Sequence, residues 1–287
     1  MNYPHRESAA SASFAVLKRE ADGATHTATD ALAVEEPLEI KLAHGPAGRR
    51  SYTSVSVTMR TPGHDAELAL GFLFTEGVIG GYRDVASVRF AGAPGGEENV
   101  LVVELHAGVA VDVARLERHF YTASSCGVCG KASLEQVRLT PGYYPQPGLP
   151  RLAASGLPAL PEALLAGQSA FAATGGLHAA GLFDARGELL LLREDVGRHN
   201  ALDKVLGAAM RKGWLPLREH LALVSGRASF ELVQKALMAG LPALAAVGAP
   251  SSLAVELAEA YNLSLIGFLR HGRFNVYSGA ERIIFAS

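Results

Sequence analysis

The second half of the chain alternates strand-like and helix-like segments, and this alternation constrains the fold more than any other feature. ELLLLRE leads through DVGRHN into a helix from about Asn200 to Met210, with Ala201, Leu202, Val205, Leu206 and Ala209 on one face. LALVS leads through Gly226-Arg227 into SFELVQKALMA, PALAAV leads through GAPSS into LAVELAEAY, and LSLIGFL leads through RHGR to FNVYS. GLHAAGLFD and ELLLLRE, joined by Ala185-Arg186-Gly187, read as a β-hairpin. Strands joined by helices of this length pack as a largely parallel sheet with right-handed crossovers. The fold class is therefore α/β.

In such a sheet the loops after the strands emerge at the carboxyl edge, where ligands bind in open α/β folds. Four loops converge there: 197–200, 225–227, 248–252 and 270–273. They bring Arg198, Arg227, Arg270 and Arg273, two histidines, small residues and helix starts to one place. Backbone N–H groups at helix starts favour anions. The pattern predicts a basic, glycine-lined pocket for an anionic, nucleotide-like ligand, weighed against ordinary tight turns with solvated arginines.

The first half is mixed α and β. In SYTSVSVTM, Thr53, Val55, Val57 and Met59 alternate onto one strand face. A helix is expected from Asp65 as N-cap to a stop at Gly77. VASVRF and ENVLVVELHA read as two further strands. Residues 1–33, rich in Ala, Ser, Thr and charge, read as a mobile tail. Residues 34–140 read as a mixed α+β domain ending in the cysteine loop. Residues 141–167 read as a junction, because six of the 14 prolines fall between 141 and 161. Residues 168–287 form the second domain.

Composition narrows the function classes. Lys+Arg 26 against Asp+Glu 28 gives a net charge of -2, which provides no global attraction to nucleic acid or anionic membrane. No uninterrupted apolar span reaches the ~18 residues of a membrane helix. The start MNYPHRESAASASF lacks the apolar stretch of a signal peptide. Both cysteines of the chain sit in one Cys-x-x-Cys, so no disulfide framework is expected. These features together fit a cytoplasmic protein.

That motif, Ser124-Ser125-Cys126-Gly127-Val128-Cys129-Gly130-Lys131, has three readings. A structural zinc knuckle needs four ligands, and neither a second cysteine pair nor paired histidines accompany it. A thioredoxin-like redox pair would follow an early strand, whereas this one lies mid-chain beside the proline-rich junction. A nucleophilic or carrier cysteine fits the flanking glycines, with Lys131 and a helix from about Ser133 lowering a thiol pKa. Zinc deaminase chemistry lacks its parts: His178-Ala179-Ala180 has no glutamate where His-x-Glu is needed, and no Pro-Cys-x-x-Cys follows. No metal site is expected. His199 and Asp203, four apart, form either an oriented proton-transfer pair or a helix-start ion pair.

Several segments together resemble the FdhD family, the formate dehydrogenase accessory sulfurtransferases: RTPGHDAELALGFLFTEG (60–77), SSCGVCGK (124–131), EDVGRHNALDKVLG (194–207), SGRASFELVQKA (225–236), APSSLAVELAE (249–259) and GFLRHGRFNVYSG (267–279). The resemblance implies a C-terminal domain like the three-layer α/β/α fold of cytidine deaminases, without their zinc site. It implies a sulfur carrier that accepts sulfur from a cysteine desulfurase as a persulfide and passes it to a bis-molybdopterin guanine dinucleotide cofactor, required for formate dehydrogenase activity. Carried over residue by residue, Cys126 bears the persulfide and Cys129 is its relay or resolving partner. Phe268, Leu269, Arg270, His271, Gly272 and Arg273 bind the cofactor, and a guanine nucleotide would occupy the same pocket. The partners implied are the desulfurase, formate dehydrogenase and a second copy of the chain. Arg198, Arg227 and Ser251 join the pocket by edge-loop position alone. Two alternatives stay open: a non-catalytic cofactor chaperone and a thiol–disulfide oxidoreductase.

Overall fold

A computed structural model describes residues 10–91, 99–112 and 141–285. The chain opens with a hairpin of β1 (Ser11–Arg19) and β2 (Thr25–Ala33), in register from Ser11↔Ala33 to Arg19↔Thr25. Residues 11–33 are thus paired strands, where a mobile tail was expected. The cause is a period-two pattern hidden in polar composition: Thr25, Thr27 and Thr29 alternate along β2 and suit an extended backbone. Asp22 Oδ1 accepts from Ala24 N at 2.9 Å, and Gly23 at φ +91° closes the turn.

A four-stranded sheet follows, in the order β4-β3-β6-β5, from β3 (Glu36–His44), β4 (Ser51–Arg60), β5 (Val85–Phe90) and β6 (Val100–Leu105). The expected alternation along β4 fails at a bulge. Ile40 pairs with Ser56 and Lys41 with Ser54, so Val55 is the extra residue. Val55 enters the core, while Val57 and Met59 turn outward and are exposed. Helix α1 (Asp65–Thr75) starts one residue earlier than expected. His64, at φ 58°, is its N-cap. Asp65 is instead taken by the buried Arg60, whose Nε and Nη2 reach its two carboxylate oxygens at 3.0 and 3.2 Å.

The proline-rich segment folds against the second half. β7 (Leu152–Ala153) pairs with β14 (Ile283–Ile284), and helices α2 (Leu160–Gly167) and α3 (Ser169–Thr174) follow. Pro161 is accommodated in the first turn of α2, where its missing N–H costs no hydrogen bond. Beyond it lie β8 (His178–Asp184), β9 (Leu189–Asp195), α4 (Arg198–Arg211), β10 (His220–Val224), α5 (Phe230–Met238), β11 (Ala243–Ala246), α6 (Ser252–Ala260), β12 (Ser264–Arg270) and β13 (Arg273–Ser278). Their six-stranded sheet runs β13-β12-β11-β10-β8-β9. β9 to β12 are mutually parallel, with β8 antiparallel between β9 and β10.

Alternate residues feed two apolar layers. Leu221, Leu223, Ala243, Ala245 and Ile266 face Leu157, Leu160 and Leu164. Ala222, Val224, Leu244 and Ala246 face α4, α5 and α6. The second layer continues without a break through α1 into Leu38, Ile40, Leu42, Leu101 and Val103 of the first sheet. One core therefore spans residues assigned by sequence to separate domains. Its seam is the α1–α4 crossing, where the backbones nearly touch. A Cβ added at Gly207 would lie 1.9 Å from the Glu67 carbonyl oxygen, and one at Gly71 would lie 1.9 Å from that of Asp203.

Candidate functional site

The parallel run of β9 to β12 places their following loops on one edge, and hydrogen bonds lace three of these loops together. Gly248 N donates to Gly226 O at 2.9 Å, Ala228 N to Ala249 O at 3.2 Å, Ser251 N to Ala228 O at 3.0 Å, and Phe268 N to Gly248 O at 3.0 Å. A side chain at Gly248 would meet Arg227 Cγ at 3.0 Å and Gly226 O at 3.1 Å, so close backbone approach demands glycine there. Ser229 and Ser251 cap α5 and α6, their hydroxyl oxygens accepting from Leu232 N and Ala254 N.

The fourth loop is fixed from within. Asp195 is fully buried, and its Oδ1 accepts from Gly197 N at 2.8 Å and Asn200 Nδ2 at 3.0 Å. Its Oδ2 lies 2.7 Å from Lys204 Nζ and accepts from Thr61 N at 3.2 Å. Lys204 also donates to Thr61 O at 2.9 Å. A buried ion pair satisfied on all sides in this way holds the start of α4 against the end of β4. On that frame sit Arg198, half-buried with its Nε unpartnered among the described residues, and His178 at the start of β8. Burial, then the charges of Arg198 and His199, push the His178 imidazole below its ordinary pKa. At neutral pH it is a neutral donor–acceptor beside a guanidinium.

His199 and Asp203 do not pair. His199 Nε2 lies 3.0 Å from Glu231 Oε2 and 3.1 Å from Ser229 Oγ. Asp203 points the other way, 2.8 Å from the buried Lys235 ammonium and 2.9 Å from Thr75 Oγ1. The four-residue spacing put both on one helical face, but α4 is buried on several sides and each side chain took the partner on its own side.

The 268–273 stretch is the β12–β13 connection. Phe268 adopts φ 52°, uncommon for an aromatic residue, inside an irregularity between Gly267 and Arg270. Its ring lies 5.6 Å from the Arg270 guanidinium. Leu269 is fully buried in the core, so its side chain anchors the hairpin. Arg270, His271, Gly272 and Arg273 are exposed at the tip. His271 and Gly272, at φ 52° and 73°, are the two left-handed residues of a tight hairpin turn.

Beside these loops lies a cavity of about 550 Å³, between α2–α3 and the ends of β8, β10 and β11. Gln168, Phe171, Ser225 and His178 are among its lining residues. Glu194 fixes the α3 wall, its carboxylate accepting from Ala170 N at 3.0 Å and Phe171 N at 2.7 Å. The β1–β2 hairpin packs on the outside of α3. Sequence reading gave no role to Gln168, which belongs to no motif, or to Glu194, which opens the stretch 194–207 but whose partners lie in α3. Cys126, Cys129 and Lys131 lie outside the described residues. Among the described residues, no three His, Cys, Asp or Glu side chains gather into a metal-sized group. No described helix is long and apolar enough to cross a membrane.

The sequence model of the FdhD/NarQ family matches residues 33–284. A protein of Mycolicibacterium paratuberculosis named sulfur carrier protein FdhD is 54% identical over 258 residues, covering 88% of this chain and 92% of its own. Another of that name, from Streptomyces coelicolor, is 51% identical over 268 residues, covering 91% and 92%. The fold matches the crystal structure of a chain described as a formate dehydrogenase accessory protein from Desulfotalea psychrophila. The TM-score is 0.70 at 23% identity, covering 96% of this chain and 99% of that one.

Proposed function

The chain belongs to the FdhD/NarQ family, and from that premise we propose that it is a sulfur carrier serving formate dehydrogenase, with Cys126 as the carrying residue. The observation that supports this most is the near full-length match to relatives named for that role. In the proposed loading step the Cys126 thiolate attacks the outer sulfur of a persulfide on a cysteine desulfurase. The new S–S bond leaves a persulfide on Cys126 and releases the desulfurase thiolate. Cys129, as resolving partner, then attacks the inner sulfur. The outer sulfur departs as hydrosulfide toward the acceptor, and an external thiol reduces the resulting Cys126–Cys129 disulfide.

The acceptor we propose is the molybdenum of a bis-molybdopterin guanine dinucleotide, bound as substrate along the edge loops. The residues there suit it. Arg198, Arg227, Arg270 and Arg273 can pair with its phosphates, and Phe268 under Arg270 offers a flat cationic face. The same stretch would take a free guanine nucleotide. A cytoplasmic homodimer with a cytidine-deaminase-like sheet over residues 168–287 completes the proposal.

Intact mass after incubation with an active desulfurase and cysteine tests it. The expected result is a reducible gain of one sulfur on the wild type that vanishes in Cys126→Ala. No gain in any variant, with the edge-loop arginines still binding nucleotide, would replace the carrier by a cofactor chaperone. A reversible disulfide with no added sulfur would replace it by a thiol–disulfide oxidoreductase.

A further inference from the structure

The outer edge of β1 is open to pairing with another chain. Two bonds at its ends set the phase of its ladder with β2: Val34 N donates to Ala10 O at 2.9 Å, and Glu20 N donates to Ala24 O at 2.8 Å. Residues alternate along an antiparallel ladder, so the even-numbered residues of β1 spend their N–H and C=O groups on β2. Those of Ser11, Ser13, Ala15, Leu17 and Arg19 point the other way, where no described strand pairs with β1. Ser13, Phe14, Ala15 and Leu17 are exposed, Phe14 at 52% and Leu17 at 75%. β1 also precedes the residues 33–284 matched by the family model, and sulfur carriage gives it no role.

The edge lacks the usual protection. Residues 11–17 read SASFAVL, with no charge, proline or glycine. Solvent-facing edges are normally blunted by lysine, proline or a bulge. Here the register with β2 runs unbroken from Ser11↔Ala33 to Arg19↔Thr25. A two-stranded hairpin is marginal by itself in water, and the described element this one packs on most is α3. β4 is also an edge strand without charge from Ser51 to Met59, but its edge is partly taken, because Asn200 Nδ2 donates to Met59 O at 2.8 Å.

We propose that β1 pairs antiparallel with β1 of a second copy of this chain, giving one four-stranded sheet across a two-fold axis. The strand is complementary to itself. Centred on Ala15, the pairing overlaps the whole of β1 and sets Ala15 opposite the partner's Ala15, Leu17 opposite the partner's Ser13 and Arg19 opposite the partner's Ser11. These are the residues whose N–H and C=O groups are free. Phe14 then faces the partner's Val16 in a non-hydrogen-bonded pair, where side chains come closest and aromatic with β-branched is a favoured match. Leu32, opposite Ala12, extends the same apolar face. Lys18 falls opposite the partner's Ala12, so the cationic ends lie apart, whereas a parallel in-register pairing would set lysine beside lysine. An isologous contact of this kind closes after two copies. The inference rests on the homodimer reading above and adds to it the surface that makes the dimer.

Sedimentation equilibrium on the full chain reads the association. Ala15→Pro removes the central N–H and leaves the β1–β2 ladder whole, an edge position that proline tolerates. By symmetry it deletes two hydrogen bonds, so the dimer should dissociate at least about tenfold more readily than wild type. Ala15→Lys and Ala15→Glu each set like charges opposite one another and should weaken the dimer at least about fivefold. An equimolar mixture of those two should associate at least about fivefold more tightly than either alone, an effect that hairpin damage does not imitate. A wild-type dimer that all three variants leave unchanged overturns the β1 surface and keeps the homodimer. A monomeric wild type overturns both. Weakened variants whose mixture is no tighter than either alone overturn the pairing, and so does growth of the wild type beyond a dimer.

Discussion

Gly207→Ala perturbs the α1–α4 seam with the smallest possible side chain. The added Cβ would lie 1.9 Å from the Glu67 carbonyl oxygen, 2.7 Å from its carbon and 2.9 Å from Gly71 N. All three are backbone atoms, so no side chain can swing away. Clearing even 3.0 Å from that oxygen requires the helices to part by roughly 1 Å, which overpacked cores resist at about 1–3 kcal/mol. Separation also loosens the packing of α1 against α4 within the cluster that holds Leu68, Leu202 and Leu206. Alanine recovers about 1 kcal/mol of helix propensity. With the loosened packing added to the overpacking cost and the propensity gain subtracted, the net expectation is a loss of about 1–2 kcal/mol. Urea unfolding followed by far-UV circular dichroism should show a lower midpoint with an unchanged slope. Gly48→Ala, where an added Cβ meets nothing within 4 Å, is the control. If Gly207→Ala stays within about 0.5 kcal/mol of wild type, the close-crossing argument is wrong. Because α4 begins at the edge loops, the variant should also weaken nucleotide binding without touching the ligand.

Three further outcomes follow from the buried charges. Lys204→Met leaves Asp195 uncompensated in the core and should cost about 3–5 kcal/mol in the same urea assay, with Asp195→Asn added to it recovering part of the loss. Burial opposes ionisation of Glu67, but hydrogen bonds from His64 and Arg193 outweigh it and lower its pKa from 4.5 to about 2. Its folded pKa is depressed, so its contribution, on the order of 3 kcal/mol, is present above pH 4.5 and is lost as the pH falls toward 2. Glu67→Gln should flatten acid unfolding across that window, and an unchanged slope would contradict the assignment. The His178 imidazole should titrate below 6.5 by NMR, and Arg198→Ala should move it upward without abolishing the shift, since burial is the larger cause. A midpoint above 6.5 in the wild type would show that the ring is not desolvated as described.

Local patterning carries what the sequence made legible. The apolar face of α4 was readable because Ala201, Leu202, Val205, Leu206 and Ala209 recur at helical spacing, and all five are fully buried. The shared edge followed from strand–helix order, because handedness and parallel pairing leave the loops one side on which to emerge. The β4 bulge, the β1–β2 hairpin and the pairing of Asp65 with Arg60 were not readable. A bulge changes facing by one residue without altering composition, and a polar hairpin imitates a polar tail. An aspartate before a helix looks the same whether it caps the helix or holds an arginine.

The sequence by itself determined the α/β grammar, the cysteine pair and the loops that gather arginines at one edge, because each is written in neighbouring residues. Only the tertiary structure decided which partner each buried polar group found. It gave Asp203 to Lys235 and His199 to Glu231, and joined two apparent domains through a glycine-on-glycine helix crossing. Those outcomes depend on contacts between residues far apart in the chain. Spacing along one strand or helix sets which way a side chain points, and packing alone sets what it meets there.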